Sequence, residues 1–335
     1  MTAAATAATL LVIYASAASL LVFLPYWLAV QAHPRAAAGC RADLWRDALM
    51  LPLAVAVAGA AYGLLRQWHL PLFSPHAEYV RPHLCLRPLL EAPDAHWRAA
   101  VFSGLCLFLV LAAVVSLVVR LWRGSRESAR LRRAGTPLET PAQNPGVLNL
   151  ETDAVALASH RGPGPLVVVS PRLGQLFPPR QAEAILAHEI CHARRRDGLW
   201  QTLTQSAVLI AGLSPLSYLA YREWKHEREL ACDLEATQAT SLPDTEAALA
   251  RARELAGVLE EVSPLSPPPL DEMRELTGRR ERLHQAAAAS LAPAKGYAVA
   301  GLTLLLLGLA LGVVFRRPLA DTLQCMAESF LRALG

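Results

Sequence analysis

Four uncharged apolar runs, at about 4–30, 48–65, 99–119 and 296–315, constrain what this chain folds into more than any other feature. A helix crosses the roughly 30 Å hydrocarbon core of a bilayer in about 20 residues. The first run holds no charged residue, the second lies between Asp47 and Arg66, the third between Arg98 and Arg120, and the fourth between Lys295 and Arg316. Each reads as a spanning helix rather than a buried core helix. The first run is too long in its apolar stretch for a cleaved signal peptide, and no basic residue precedes it.

The runs divide the chain into a three-helix transmembrane region (1–119), a polar domain (120–295), a fourth transmembrane helix (296–315) and a short extracytoplasmic tail (316–335). The expected fold class is a mainly α membrane protein, with a small α+β domain between the third and fourth helices. Arg120, Arg123, Arg126, Arg130, Arg132 and Arg133 crowd the exit of the third run, so that side and the domain beyond it should be cytoplasmic. The loop with Arg35, Arg41 and Arg46 then falls inside and the 66–98 loop outside, whereas Arg316 and Arg317 run against the scheme. The net charge of +4 is mostly arginine at membrane edges, and no direct nucleic-acid binding is expected. Six cysteines are too few and too scattered for a disulfide framework. Cys191 and Cys232 read as small buried apolar residues, and whether Cys85 and Cys325 pair outside stays open.

Within the domain, a loop with Pro137, Pro141, Pro145 and Gly146 precedes two short apolar runs, 154–158 and 166–169, separated by a Gly/Pro turn. These read as a hairpin or two adjacent strands. Pro178 and Pro179 open a helix that continues to about Asp197, where Gly198 permits a break. The largely apolar stretch 199–220 is long enough for a fifth span. A single crossing, however, would separate the polar segments on either side of it, and those segments carry the chemistry. It is therefore expected to be a packed or re-entrant helical hairpin turning near Gly212-Leu213-Ser214-Pro215. Helices are expected over about 221–237, 244–262 and 271–284, with a proline-rich linker at 264–269.

His188-Glu189-Ile190-Cys191-His192 matches H-E-x-x-H, which on a helix sets two imidazoles one turn apart on one face. They can grip a single zinc ion, while Glu189 points about 100° around the helix, placed to take a proton from water as general base. Glu229-Leu230-Ala231-Cys232-Asp233, in a later helix, supplies the missing third ligand through Glu229. Two histidines and a glutamate leave a fourth position open, as a catalytic zinc requires. Asp233, one turn beyond Glu229, is placed to accept a hydrogen bond from the non-ligating nitrogen of a zinc-bound histidine. Arg282 and His226 are the candidates for stabilising an oxyanion. The segment 154–158 is the candidate for pairing with an extended substrate.

With these motifs on the page, the chain resembles the BlaR/MecR family of antirepressor membrane metallopeptidases. The resemblance rests on three N-terminal spans, the arginine cluster, Val167-Val168-Val169-Ser170-Pro171, the run from His188 to Asp197, Glu229 to Asp233, and a fourth span. It implies a gluzincin domain with one zinc per chain, facing the cytoplasm from the bacterial inner membrane. It further implies cleavage of the chain itself or of a repressor of the BlaI/MecI type. Family members that sense β-lactams carry a large penicillin-binding domain after the fourth span. Here about 20 residues follow Phe315, so a signal is expected through the 66–98 loop, the tail or a partner subunit. Self-association as a homodimer stays open. The competing enzyme is an HtpX-type quality-control protease, against which Arg196-Asp197 and three preceding spans argue. A catalytically silent receptor or scaffold would have no use for Glu189.

Overall fold

The computed structural model describes residues 3–32, 37–69, 95–138, 146–150, 156–159, 166–262 and 282–287. The expected fourth span, the tail, Cys85 and Cys325 lie outside the described residues. Three long helices come first: α1 (Ala3–Ala32), α2 (Ala38–His69) and α3 (Ala95–Ala134). Each contains a stretch long and apolar enough to cross a membrane. On α3 the apolar side chains Val101, Leu105, Phe108, Leu111, Val115 and Val118 stand exposed, which a lipid solvent tolerates and water does not. The arginine cluster does not end this helix. α3 continues without a break to Ala134 and carries the arginines on its extension.

Small residues let the first helices approach closely. A Cβ on Gly59 of α2 would sit 3.1 Å from the Tyr14 ring of α1. Ala15, Ala56 and Ala113, one from each helix, form one buried cluster.

Into that cluster reaches a helical hairpin made of α6 (Asp197–Ile210) and α7 (Pro215–Ala239), whose tip residues Ile210 and Ala211 pack on the three alanines. The chain reverses at 211–214, where Pro215 opens α7 at a position that needs no N–H partner. The α6 hydroxyls bond locally: Thr202 and Thr204 donate to the carbonyls of Gly198 and Trp200 at 2.9 and 2.8 Å. Gln205 donates to Tyr221 Oη across the hairpin at 2.8 Å. Nearer the base, Ala42, Trp45, Ala48 and Leu49 of α2 bury Ala220 and Trp224 of α7.

The remaining elements are β1 (Thr136–Leu138), β2 (Gly146–Asn149), β3 (Ala156–Ser159), β4 (Leu166–Val169), the short α4 (Arg172–Leu176), α5 (Pro179–Arg195) and α8 (Leu242–Val262). The sheet order is β1-β2-β4-β3, with β2 parallel to β4 and the outer strands antiparallel to their neighbours. Two strands thus occupy the proline-containing segment read above as a loop. Pro137 is accommodated because β1 is an edge strand, where a missing N–H interrupts no ladder. Val147 and Val167 face Ala193 of α5, while Leu148, Leu166 and Val168 face Leu131 of α3. Burial on both faces explains the unbroken apolar run of β4.

A second correction concerns the end of α5. The helix breaks at Arg196, not at Gly198, and Arg196 adopts the left-handed conformation with φ 55°. A non-glycine residue there costs about 1–2 kcal/mol, and what holds it is the placement of Asp197 described below. Overpacking tests the hairpin's seat: Ala56→Leu should destabilise the protein by about 1–3 kcal/mol, read as a lowered unfolding temperature in detergent.

Candidate metal centre

α5 brings His188 and His192 one turn apart, with their Nε2 atoms 3.0 Å from each other and the rings edge to face. α7 returns from the hairpin tip and presents Glu229, whose Oε2 lies 3.6 Å from His188 Nε2 and 3.5 Å from His192 Nε2. Two imidazole nitrogens and one carboxylate oxygen therefore converge, and the three residues can hold a metal ion. A tetrahedral ion with bonds of about 2.05 Å separates its ligand atoms by roughly 3.3 Å, and the three observed separations bracket that value.

Both histidines are oriented from behind. His188 Nδ1 lies 2.9 Å from Asp233 Oδ1, and His192 Nδ1 lies 2.7 Å from Asp197 Oδ2, with both carboxylates buried. An ionised carboxylate only accepts, so each Nδ1 carries the proton and each Nε2 keeps its lone pair for the metal. The sequence reading assigned no role to Asp197. Its available signal was an acid directly after the helix in Arg194-Arg195-Arg196-Asp197, although only the turn at Arg196 brings it under His192.

Arg228, also missed, orients Glu229. Its Nη2 donates to Glu229 Oε1 at 2.8 Å and its Nη1 to Gln201 Oε1 at 3.3 Å, while its guanidinium lies over the Trp224 ring. With Oε1 occupied, Glu229 turns Oε2 alone toward the histidines. Arg228 Nε and Arg195 Nε also lie 4.0 and 3.7 Å from the Asp197 carboxylate, balancing its charge.

Burial pulls the His192 pKa down, but the bonds to Asp197 and Glu229 outweigh it and leave the group raised above the ordinary histidine value. Burial pushes the Cys232 thiol well up, and contact with Cys191 adds to this. Cys232 Sγ donates to Cys191 Sγ at 2.9 Å and lies 3.3 Å from His192 Nδ1. His192, Asp197 and Cys232 also lie close enough together to hold a metal ion. That set is buried at all three residues and uses the histidine nitrogen whose N–H donates to Asp197. Its Asp197 and Cys232 lie behind His192, against the nitrogen turned away from Glu229.

Glu189 is half-buried on α5 beside His188, and it is not among the three converging ligands. His226 is half-buried on α7, three residues before Glu229. Arg282 is exposed in a helical segment at 282–287, and its charge is felt at Glu227, about 200° around α7 from Glu229.

A family model described as BlaR1 peptidase M56 matches residues 161–241, a segment that takes in β4, α4, α5, α6 and α7. Over that segment the chain is similar to a family of membrane-associated metallopeptidases. No curated protein matches the chain. Removing either orienting carboxylate, by Asp197→Asn or Asp233→Asn, should weaken divalent-metal retention about 10–100-fold, read by competition with a chromogenic chelator.

Proposed function

We propose that this chain is an integral-membrane zinc endopeptidase in which His188, His192 and Glu229 hold the metal and Glu189 is the general base. The observation that carries the reading is the convergence of three ligand atoms, each fixed by its own buried partner. A structural zinc would take a closed set of four protein ligands, whereas two histidines and one carboxylate leave a position for water and substrate. Zinc held there supplies Lewis acidity and a nucleophile usable at neutral pH.

The chain's own residues do the rest. Glu189 takes the proton of the attacking water and returns it to the leaving amine. Asp197 and Asp233 keep the histidines in the ligating tautomer, and Arg228 keeps Glu229 monodentate. Arg282 and His226 are the candidates for steadying negative charge on the carbonyl oxygen. β3 ends the sheet and runs beside α5, so its outer edge offers N–H and C=O groups to an extended substrate.

The sheet packs on the arginine-bearing end of α3 through Leu131. This packing supports a cytoplasmic site, because the positive-inside rule favours the cytoplasm for that end of α3. This supports a regulatory role in signal transduction, with cleavage of the chain itself or of a cytoplasmic repressor of the BlaI/MecI type. Metal analysis and peptide cleavage on detergent-purified protein test the reading. Wild type should hold about one zinc, as a single three-ligand site requires. Glu229→Ala should lose both metal and activity, while Glu189→Gln should keep the metal and lose about 10²–10⁴-fold in rate. A wild type without zinc, or an undiminished Glu189→Gln, would sink the assignment.

A further inference from the structure

Both helices that carry the metal ligands are tied to one turn of α2. At the end of α5, three residues past His192, Arg195 Nη2 donates to Asp43 Oδ1 at 3.3 Å. On α7, two residues before Glu229, Glu227 Oε2 pairs with Arg41 Nη2 at 2.9 Å, both side chains being largely buried. Residues two apart on a helix point about 200° from each other, so this one turn reaches two different elements.

Further contacts hold the turn in place. Gly39 lets Arg195 come close, because a Cβ there would sit 3.1 Å from Arg195 Nη1. Arg46 donates to the same Asp43 oxygen at 3.0 Å and lies over the Trp200 ring of α6. From Arg195 the path leads inward, since its Nε lies 3.7 Å from the Asp197 carboxylate that holds His192.

We infer that Arg41 and Asp43 are positioning residues for the metal centre: they bracket α5 and α7 and set the distance between the histidine pair and Glu229. The ligands come from two separate helices, whose contact runs through small side chains, Ala184 against Ala236 and Cys191 against Cys232. A rigid shift of either helix changes the ligand separations directly, and α2 opposes that shift at both helices. Arg41 and Asp43 lie outside the segment that matches the peptidase family, so the membrane region completes the site rather than only anchoring it. The inference rests on the metal reading above.

The test uses the full chain in detergent with cobalt(II) as the probe, whose visible absorption reports coordination geometry, and chelator competition as the measure of retention. Arg41→Glu and Asp43→Asn should each alter the cobalt bands and weaken retention about three- to tenfold, less than the loss of a direct partner of a ligand. The charge swap Arg41→Glu with Glu227→Arg, and the conservative Asp43→Glu, should restore both readouts. Folded single variants with wild-type bands and retention would overturn the inference, as would a folded swap that restores neither. If Arg41→Glu fails to fold, Asp43→Asn decides alone, because its carboxylate is about half exposed. Wild type that binds no cobalt, or binds it equally after His188→Ala, would instead overturn the metal reading itself.

Discussion

The α6–α7 hairpin has to enter a cluster of apolar helices and return to the side it came from, since only then can Glu229 meet His188 and His192. An excursion of this kind is tolerable only if the polar groups it carries inward bring their own partners. Thr202, Thr204 and Ser206 bond carbonyls of their own helix, and Ser217 bonds that of Ser214 at the turn. The tip itself is apolar and small, with Ile210 and Ala211 seated against one alanine from each of the three long helices. The alanine-rich composition therefore has a structural meaning: it thins the helices where five of them must share one space.

Electrostatics dominate at the other end of the hairpin. Glu229, Asp197 and Asp233 place three carboxylates around two histidines in a largely buried site, an arrangement that is costly unless each charge is matched. Arg228 touches two of the three, lying between Glu229 and Asp197, and Arg195 adds to the balance at Asp197. The strained turn at Arg196 belongs to this arrangement. Without a left-handed residue between α5 and α6, Asp197 would not fold back beneath His192, and the local strain persists because His192, Arg195 and Arg228 all hold the carboxylate.

The three long apolar helices and the helices that carry His188, His192 and Glu229 share one core. Trp45 and Leu49 of α2 bury Trp224 of α7, and the stacking of Arg228 on Trp224 carries that packing to Glu229. Taking α2 away would uncover Trp224 and remove the Asp43 partner of Arg195 and the Arg41 partner of Glu227 together. The segment similar to the peptidase family is thus continuous with the helices before it in packing as well as in charge.

The sequence by itself determined the three long helices able to cross a bilayer, because a bilayer demands long uncharged runs and little else satisfies that demand. It also determined the helical H-E-x-x-H pair and the need for a distant acid, because i and i+4 on a helix share a face and two histidines do not complete a catalytic set. Asp233 was legible for the same reason of spacing. Arg228 and Asp197 were not, since an arginine beside a glutamate and an acid after a basic run read as ordinary surface. Only the hairpin's return and the turn at Arg196 decide what these two residues touch. Nor were β1 and β2 legible, because three or four residues around prolines carry no periodicity: β2 is held by burial between α3 and α5, and the exposed β1 pairs along its edge. Local patterns record the contacts made within one helix. Contacts between helices that meet through a returning hairpin are set by packing and charge balance, which have no period in the sequence.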